Sequence, residues 1–550
     1  MSVGLITKGT ASRVVQQYPG VSKTTLILTV ALFLVVFHNF TFLQRFIETY
    51  DGMDDLWLRL VSIAIIHGCV LTLMLSLLGF SRLLKPLVIA LLLISSITAY
   101  FVDTYKVIIS SEMINNTLET DSAEIHDLLG LRLIAYLLLL GALPSLLVYN
   151  IRIRRDSLGR DLKKRLVLAS VSLITAVIII YSSGDFYASF FRLHKLVRYY
   201  ANPTTLLYSL GKYTNSRLEG VEPKTLTTIG SDATIPASDP HNELVVLVIG
   251  ETARADHFSL NGYQRETNPL LSRENLVSFT QVSSCGTSTA VSLPCMFSFS
   301  ERKNYDEKIA AHTENILDVL QRAGVQILWR DNNSGGAKGI ANRVEFQDLR
   351  KPEINPVCDP ECRDEGMLTG LDTWLAQHQD KDILIVMHQM GSHGPAYFKR
   401  YPSEFEKFTP TCRSNQLNDC TREAVVNTYD NTILYTDYFL SRVIAWLKAQ
   451  SAQYQTSMLY MSDHGESLGE LGIYLHGIPY ALAPAAQTHV PAILWSAEQN
   501  TDIDLVATKQ TASEPFSHDN LFHTLLGLFE VKSEIYQRDK DMVSFAHSYP

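Results

Sequence analysis

Five long apolar stretches in the first third of the chain constrain its fold more than any other feature. They cover residues 26–43, 61–80, 84–102, 131–149 and 166–181. Each approaches the roughly 20 residues that cross the hydrocarbon core of a bilayer. They lack the charged faces that buried helices of a water-soluble protein carry. A cleaved signal peptide would account for the first stretch alone, and four more follow it. The sequence therefore predicts a five-helix transmembrane bundle over residues 1–183. Composition agrees with a two-part chain. Of 550 residues, 46% are hydrophobic and only 19% charged, which is apolar for a soluble protein yet too polar for one wholly within a membrane.

Lysine and arginine in the short loops give the orientation. Lys8, Arg13 and Lys23 precede the first stretch, Arg82 and Lys85 fill the second loop, and the fourth loop runs from Arg152 to Arg165 with seven basic residues. The first loop is acidic and the third is mixed. The N-terminus and the basic loops are thus expected in the cytoplasm. After five spans, everything beyond about residue 183 falls on the other side. Formal net charge is −9, without a long basic tract, so nothing points to a nucleic-acid partner.

The cysteines fit that placement. Cys69 sits alone inside a span, whereas Cys285, Cys295, Cys358, Cys362, Cys412 and Cys420 all lie in the second part. Six cysteines allow 15 pairings, and the sequence does not choose among them. Nearness along the chain suggests Cys285–Cys295, Cys358–Cys362 and Cys412–Cys420. Such bridges persist in an oxidising compartment such as a bacterial periplasm. A cysteine metal site is the weaker reading, because the spacings do not repeat a zinc-knuckle pattern.

Residues 184–240 read as a linker. The run FYASFFRLHKLVRYY (186–200) is aromatic and basic. It suits a helix lying in the membrane interface, with Arg192, Lys195 and Arg198 reaching headgroups, or an ordinary packing helix. From residue 241 onward, apolar runs at 244–250, 325–329, 382–388, 457–462 and 490–495 alternate with helical patterns at 313–323, 364–378, 422–449 and 518–529. That alternation predicts an α/β domain with a mainly parallel sheet. Sites in such sheets form at the carboxyl ends of the strands.

Polar residues gather at those ends. Gly250-Glu251-Thr252 follows the first run, Gly391-Ser392-His393-Gly394 the third, and Asp463-His464-Gly465-Glu466 the fourth, with His476-Gly477 a little further on. A lone histidine or aspartate at a strand end is usually a cap or a surface residue. Carboxylates and imidazoles on one rim, beside glycines that let the backbone approach closely, suit zinc or manganese. A nucleophile is then expected, and Cys285-Gly286-Thr287-Ser288-Thr289-Ala290 is dense in hydroxyls. Thr289 falls where a helix should start, a position that favours an anionic phosphate. Thr287 or Ser288 would serve as caps. A divalent cation beside the Thr289 hydroxyl would lower its pKa.

The motifs NELVVLVIGETARADH, CGTSTAVSLPCMFS, WRDNNS and SDHGESLGE resemble the phosphoethanolamine transferases of Gram-negative bacteria, closest to the lipid A enzymes that include the mobile colistin-resistance proteins. The resemblance spans the whole chain. It implies an alkaline phosphatase-like fold for residues 241–550 in the periplasm, on a multi-pass inner-membrane protein acting as a monomer. It implies phosphatidylethanolamine as donor, a lipid A phosphate as acceptor and polymyxin resistance as the outcome. Glu251, Thr289, Asp463 and His464 match the family's zinc ligands, with Thr289 also the nucleophile that carries phosphoethanolamine. One zinc would be held tightly, and His393 and His476 match histidines that hold a second zinc or the substrate phosphate. Asn333 and Lys338 match a substrate-binding pair, although S-G-G-A-K-G runs one residue longer than the family pattern. M-I-N-N-T-L-E-T-D-S-A-E in the third loop matches a lipid contact through Asn116, Thr120 and Glu124, and reads equally as a capped, solvated helix. The alternative is transfer to the lipopolysaccharide core or to a periplasmic glucan. A sulfatase would need a C/S-x-P-x-R motif that is missing here. The six cysteines disfavour a lipoteichoic-acid glycerol-phosphate transferase. A transporter or sensor with a dead enzyme domain would have lost a ligand or the nucleophile.

Overall fold

The computed structural model describes residues 20–79, 82–119, 128, 130–154, 156–218, 225–236, 241–333, 337–359 and 361–546. By internal contacts the chain forms two compact units, Met1–Ala99 with Ala135–Thr204, and Tyr100–Ile134 with Thr205–Pro550.

Among the described residues, four helices, lying wholly or mostly in the first unit, are long and apolar enough to span a membrane: Leu56–Leu78, Leu84–Tyr105, Leu131–Asn150 and Leu158–Ser182, with mean hydropathy between 2.0 and 2.3. The first and fourth of these begin before the predicted stretches, at Leu56 and Leu158, and Leu84–Tyr105 carries its last residues into the second unit. The first predicted span is different. It divides into Lys23–Phe37 and Phe40–Thr49, bent by 58°. The count is therefore four spans, or five if the bent pair crosses as one, rather than a plain five. The cause is a polar insertion at the break. Asn39 Nδ2 donates to Leu34 O at 2.9 Å and to Asn202 O at 2.7 Å, and Asn202 Nδ2 donates to His38 O at 3.3 Å. The Asn39 amide thus joins His38 N on Leu34 O, and the Asn202 amide reaches His38 O at the break; side chains inserted at the helical ladder are one of the recognised origins of a sharp kink. Leu56–Leu78 packs along Leu158–Ser182.

The aromatic segment folds as two short helices, Gly184–Leu193 and Lys195–Tyr199, separated at His194. Its rings pack inside the unit. Phe186 and Phe190 lie against Phe46, and the Arg59 guanidinium sits 4.7 Å over Phe186. Arg192 and Lys195 are exposed.

The second unit is built on an eight-stranded sheet. Its strands are β1 (Glu243–Gly250), β2 (Leu276–Ser283), β3 (Gln326–Asp331), β4 (Glu345–Asp348), β5 (Ile383–His388), β6 (Gln455–Ser462), β9 (His489–Ser496) and β10 (Phe516–Ser517). They are ordered β10-β2-β9-β6-β1-β5-β3-β4. A small hairpin of β7 (Ser467–Leu468) and β8 (Tyr474–Leu475) stands apart. All pairs in the large sheet are parallel except those of β9, which runs antiparallel to β2 and β6. The five predicted strands are β1, β3, β5, β6 and β9. Strands β2, β4 and β10 were not expected: β2 is only half-buried and mixes polar with apolar residues, and the other two are short edge strands.

Helices cover both faces, as a sheet rich in parallel pairs requires. Val245, Leu247 and Ile249 face one core with the helices Ile316–Ala323 and Leu521–Leu528. Leu244, Val246 and Val248 face the other, against the long helix Arg422–Gln450. The helical pattern at 364–378 is interrupted. A 3-10 turn at Asp364–Leu368 and a short helix at Leu371–Leu375 flank Gly370, whose φ is +76°. That left-handed residue ends one segment before the next begins.

Candidate metal and phosphoryl-transfer site

Register brings the chemistry together. β1 and β6 are adjacent and parallel with Gly250 opposite Ser462, so Glu251 and Asp463 leave the sheet side by side. β5 lies on the other flank of β1, with His388 opposite Ile249, and delivers the 390–394 turn to the same rim. There Gly391 adopts φ +50° and an added Cβ would lie 2.9 Å from Glu251 O. Only glycine lets that turn close against the Glu251 backbone.

Glu251, Asp463 and His464 form one buried group with a ligand atom from each within 4.8 Å of the others. His464 Nε2 is 3.5 Å from Glu251 Oε1 and 3.4 Å from Asp463 Oδ2. The remaining carboxylate oxygens are occupied. Asp463 Oδ1 accepts from Thr252 N at 3.2 Å and His464 N at 2.7 Å. Glu251 Oε2 accepts from Asn333 Nδ2 at 2.7 Å and Thr289 Oγ1 at 3.0 Å. Glu251 Oε1 and Asp463 Oδ2 have no hydrogen-bond partner although they are buried. Two orphaned carboxylate oxygens aimed at an imidazole nitrogen are costly unless a cation lies between them.

The electrostatics agree. Burial and then the neighbouring Asp463 hold Glu251 well above the usual carboxylate range, and burial also raises Asp463. Burial, followed by the charge of His476, pushes His464 well below the usual imidazole value, so its Nε2 is a free lone pair. Nδ1 bonds the Gly465 carbonyl at 2.9 Å, which fixes the tautomer in the manner of metal-bound histidines. A set of two carboxylates, one imidazole and one hydroxyl fits zinc.

The hydroxyl is that of Thr289, the first residue of the helix Thr289–Met296. Its Oγ1 lies 3.3 Å from His464 Nε2. Ser288 occupies the N-cap position, but its side chain makes no capping bond. Thr287 instead donates to Ile478 O at 2.7 Å. The expectation that these two hydroxyls cap the helix is therefore corrected, because one is drawn away to the loop carrying His476. The Cys285–Cys295 bridge ties the turn to the helix, and Cys358–Cys362 and Cys412–Cys420 are also bonded.

His476 and His393 lie next to His464 on the same rim. The His476 ring is 4.4 Å from that of His464 and 6.0 Å from that of His393. Burial, then Arg400, pushes His393 well below its usual pKa. His476 Nδ1 pairs with Glu466 Oε2 at 3.0 Å, and Tyr397 donates to Glu466 Oε1 at 3.1 Å. Glu466 was missed as a site residue. Its place two residues after His464, on the same turn, was the available signal.

Asn333 is at the rim, but both its amide hydrogens are used, on Glu251 and on Gln389 O at 2.7 Å. Lys338 lies on the turn Ala337–Gly339 with φ +49° and adds its charge to the surroundings of His393. Asn116 belongs to the helix Ser111–Glu119, while its side chain, Thr120 and Glu124 lie outside the described residues. The same helix, through Glu112 and Met113, helps to line a cavity of about 240 Å³ with Thr287, Ser288, Arg302 and Tyr480.

This combination of apolar spans with a sheet whose strand ends gather a metal-ligand cluster and a helix-start threonine has relatives. Residues 243–531 match the sulfatase family, and residues 68–218 match the family described as phosphoethanolamine transferase EptA/EptB. The phosphatidylethanolamine transferase Mcr-1 of Escherichia coli is 43% identical over 538 residues, covering 96% of this chain and 97% of that protein. The phosphoethanolamine transferase EptA of Escherichia coli K12 is 39% identical over 542 residues, with 96% and 97% covered. Among solved structures, the integral membrane lipooligosaccharide phosphoethanolamine transferase A of Neisseria meningitidis superposes with a TM-score of 0.90 at 36% identity, covering 96% of this chain and 99% of that one. The class is a membrane protein with a sulfatase-like domain. The chain belongs to the phosphoethanolamine transferase family.

Proposed function

We propose that this enzyme moves phosphoethanolamine from phosphatidylethanolamine to a phosphate of lipid A through a covalent intermediate on Thr289. The observation that carries the reading is the convergence of the Thr289 hydroxyl with Glu251, Asp463 and His464 in one buried cluster. Zinc held by these four residues would lower the hydroxyl pKa and neutralise charge on the phosphoryl oxygens.

The chain's own groups supply the rest. Glu251 Oε2 accepts the Thr289 hydroxyl hydrogen bond and stands ready to take its proton. Thr289 Oγ attacks phosphorus, a new P–O bond forms, and the bond to the diacylglycerol oxygen breaks. His476, whose Nδ1 faces the Glu466 carboxylate, delivers a proton to that leaving oxygen, while the neutral His393 ring beside it offers a lone pair to the phosphoryl site or a second zinc. A lipid A phosphate oxygen then attacks the same phosphorus and releases Thr289. The backbone N–H groups at the start of the helix Thr289–Met296 face developing negative charge. Added phosphoethanolamine places an ammonium beside lipid A phosphates, which lowers affinity for cationic polymyxins. Both substrates are lipids, which accounts for the apolar spans and fits a multi-pass inner-membrane protein with its catalytic domain in the periplasm.

Incubation with phosphatidylethanolamine and no acceptor tests this. One phosphoethanolamine mass should appear on the peptide holding Thr289. Thr289→Ala should abolish the adduct and lipid A modification, while Thr289→Ser keeps some of both. An adduct on Thr287 or Ser288, or lipid A transfer by Thr289→Ala, would refute the assignment.

A further inference from the structure

Among the buried histidines that the proposed mechanism does not use, His518 alone of the described residues bonds both the nucleophile turn and the end of β6. His518 is 1% exposed and sits just after β10. The parallel pairing of β10 with β2, Phe516 opposite Val282 and Ser517 opposite Ser283, sets it beside the end of β2. From there the chain enters the 284–289 turn that leads to Thr289. The turn holding His518 is itself anchored: Ser517 and Asn520 form a reciprocal capping box, and Asp519 Oδ1 accepts from Arg302 N at 2.8 Å.

Both ring nitrogens are engaged. Cys285 N–H lies 3.1 Å from Nδ1. A backbone N–H can only donate, so Nδ1 is the acceptor and the ring hydrogen is on Nε2. Nε2–H then donates to Ser462 O at 2.9 Å, the last residue of β6 and the one before Asp463. Ser292 reinforces the joint. Its Oγ lies 3.2 Å from Nδ1, accepts from Gly286 N at 3.3 Å and donates to Asp463 O. His518 therefore spans two segments that have no strand pairing with each other, the nucleophile turn and the strand end bearing Asp463 and His464. β9 lies between β2 and β6 and pairs with each, so the sheet couples the two only through a third strand, whereas His518 joins their ends directly.

We propose that His518 is a positioning residue, which sets the Thr289 hydroxyl against Asp463 and His464 by holding Cys285 N–H at a fixed distance from Ser462 O. The inference rests on Thr289 being the nucleophile. A hydroxyl displaced by about 1 Å from its line of attack can cost on the order of 10²-fold in rate.

Two substitutions divide the ring. His518→Asn places an amide oxygen where Nδ1 stands and keeps the acceptor for Cys285 N–H. His518→Gln reaches the Nε2 position and keeps the bond to Ser462 O. The assay is single-turnover loading of Thr289 by a fluorescent phosphatidylethanolamine on the full-length enzyme in detergent, with bound zinc and the thermal midpoint measured in parallel. Each of His518→Asn, His518→Gln and His518→Ala cuts the span at one end or both and should lose about 10²-fold in loading rate, with zinc content and donor KM unchanged. All three should lower the thermal midpoint. If Asn or Gln loads at the native rate, if the losses simply follow the midpoints, or if zinc content falls in step with the rate, the inference is overturned. Should the Ala variant fail to fold, the Asn and Gln variants still decide. A Thr289→Ala control separates the two ideas, since turnover in that variant would remove the nucleophile reading whatever His518 does.

Discussion

Replacing Asn333 by alanine distinguishes a brace of the metal cluster from a substrate contact. Asn333 Nδ2 donates to Glu251 Oε2 and to Gln389 O, each at 2.7 Å, and both Asn333 and Glu251 are buried, at 4% and 1% exposure. Alanine removes a hydrogen bond to a buried carboxylate, a contribution of about 1.5–3 kcal/mol. Glu251 Oε2 would keep only the Thr289 hydroxyl, and its carboxylate would be free to rotate away from Oε1's alignment with His464. Loss of a group that orients a metal ligand typically weakens metal binding by about 10–100-fold, which converts to roughly 1.4–2.7 kcal/mol. The two figures agree. Zinc affinity of the purified full-length enzyme, measured by competition with a chromophoric chelator, should therefore fall by that factor. Donor KM should rise little when zinc is saturating. Asn333→Asp is the harsher change, because it sets a carboxylate against Glu251 Oε2 where the amide donor was. If Asn333→Ala leaves zinc affinity native and only raises KM, Asn333 is a substrate contact and the brace argument fails.

Three further outcomes follow from the same geometry. In metal-free enzyme the contribution of Glu251 and Asp463 to stability should fall as pH rises above about 4, the usual carboxylate range, and it should dominate above about 6.5, where the lowered His464 and His393 no longer oppose it. Glu251 and Asp463 are raised in the folded state, so it holds protons that the unfolded chain has already released, and stability declines with pH; zinc-loaded enzyme, followed by thermal melts across pH, should show no such decline. Cys412→Ser with Cys420→Ser opens a loop of sequence separation 8 and should cost about 2.5 kcal/mol from loop entropy, read by urea unfolding, with an unchanged midpoint arguing against it. Gly391→Ala forces a Cβ to 2.9 Å from Glu251 O at φ +50°; the left-handed backbone alone costs about 1–3 kcal/mol, and bound zinc measured by metal analysis should drop, whereas native zinc content would show that the turn can relax.

The sequence by itself determined the parts that depend on local pattern. Apolar length predicted membrane helices, and alternation of short apolar runs with helical periods predicted a mainly parallel sheet with β1, β5 and β6 in the places found. Strand-end motifs singled out Glu251, Asp463 and His464, and a hydroxyl-rich turn singled out Thr289, because strand ends and helix starts are where such chemistry gathers. The tertiary structure decided what depends on partners distant in sequence. The bend at His38–Asn39 comes from Asn202, whose amide fills a break that an apolar run conceals. β4 and β10 exist through pairing at the two edges of the sheet, and β2 through pairing with β9 and β10, rather than through a continuous apolar run. Asn333 bonds Glu251 across 82 residues, and His518 reaches Cys285 across 233. A hydrogen bond of that kind leaves no period in the sequence, since its donor and acceptor meet only after the sheet has set their distance.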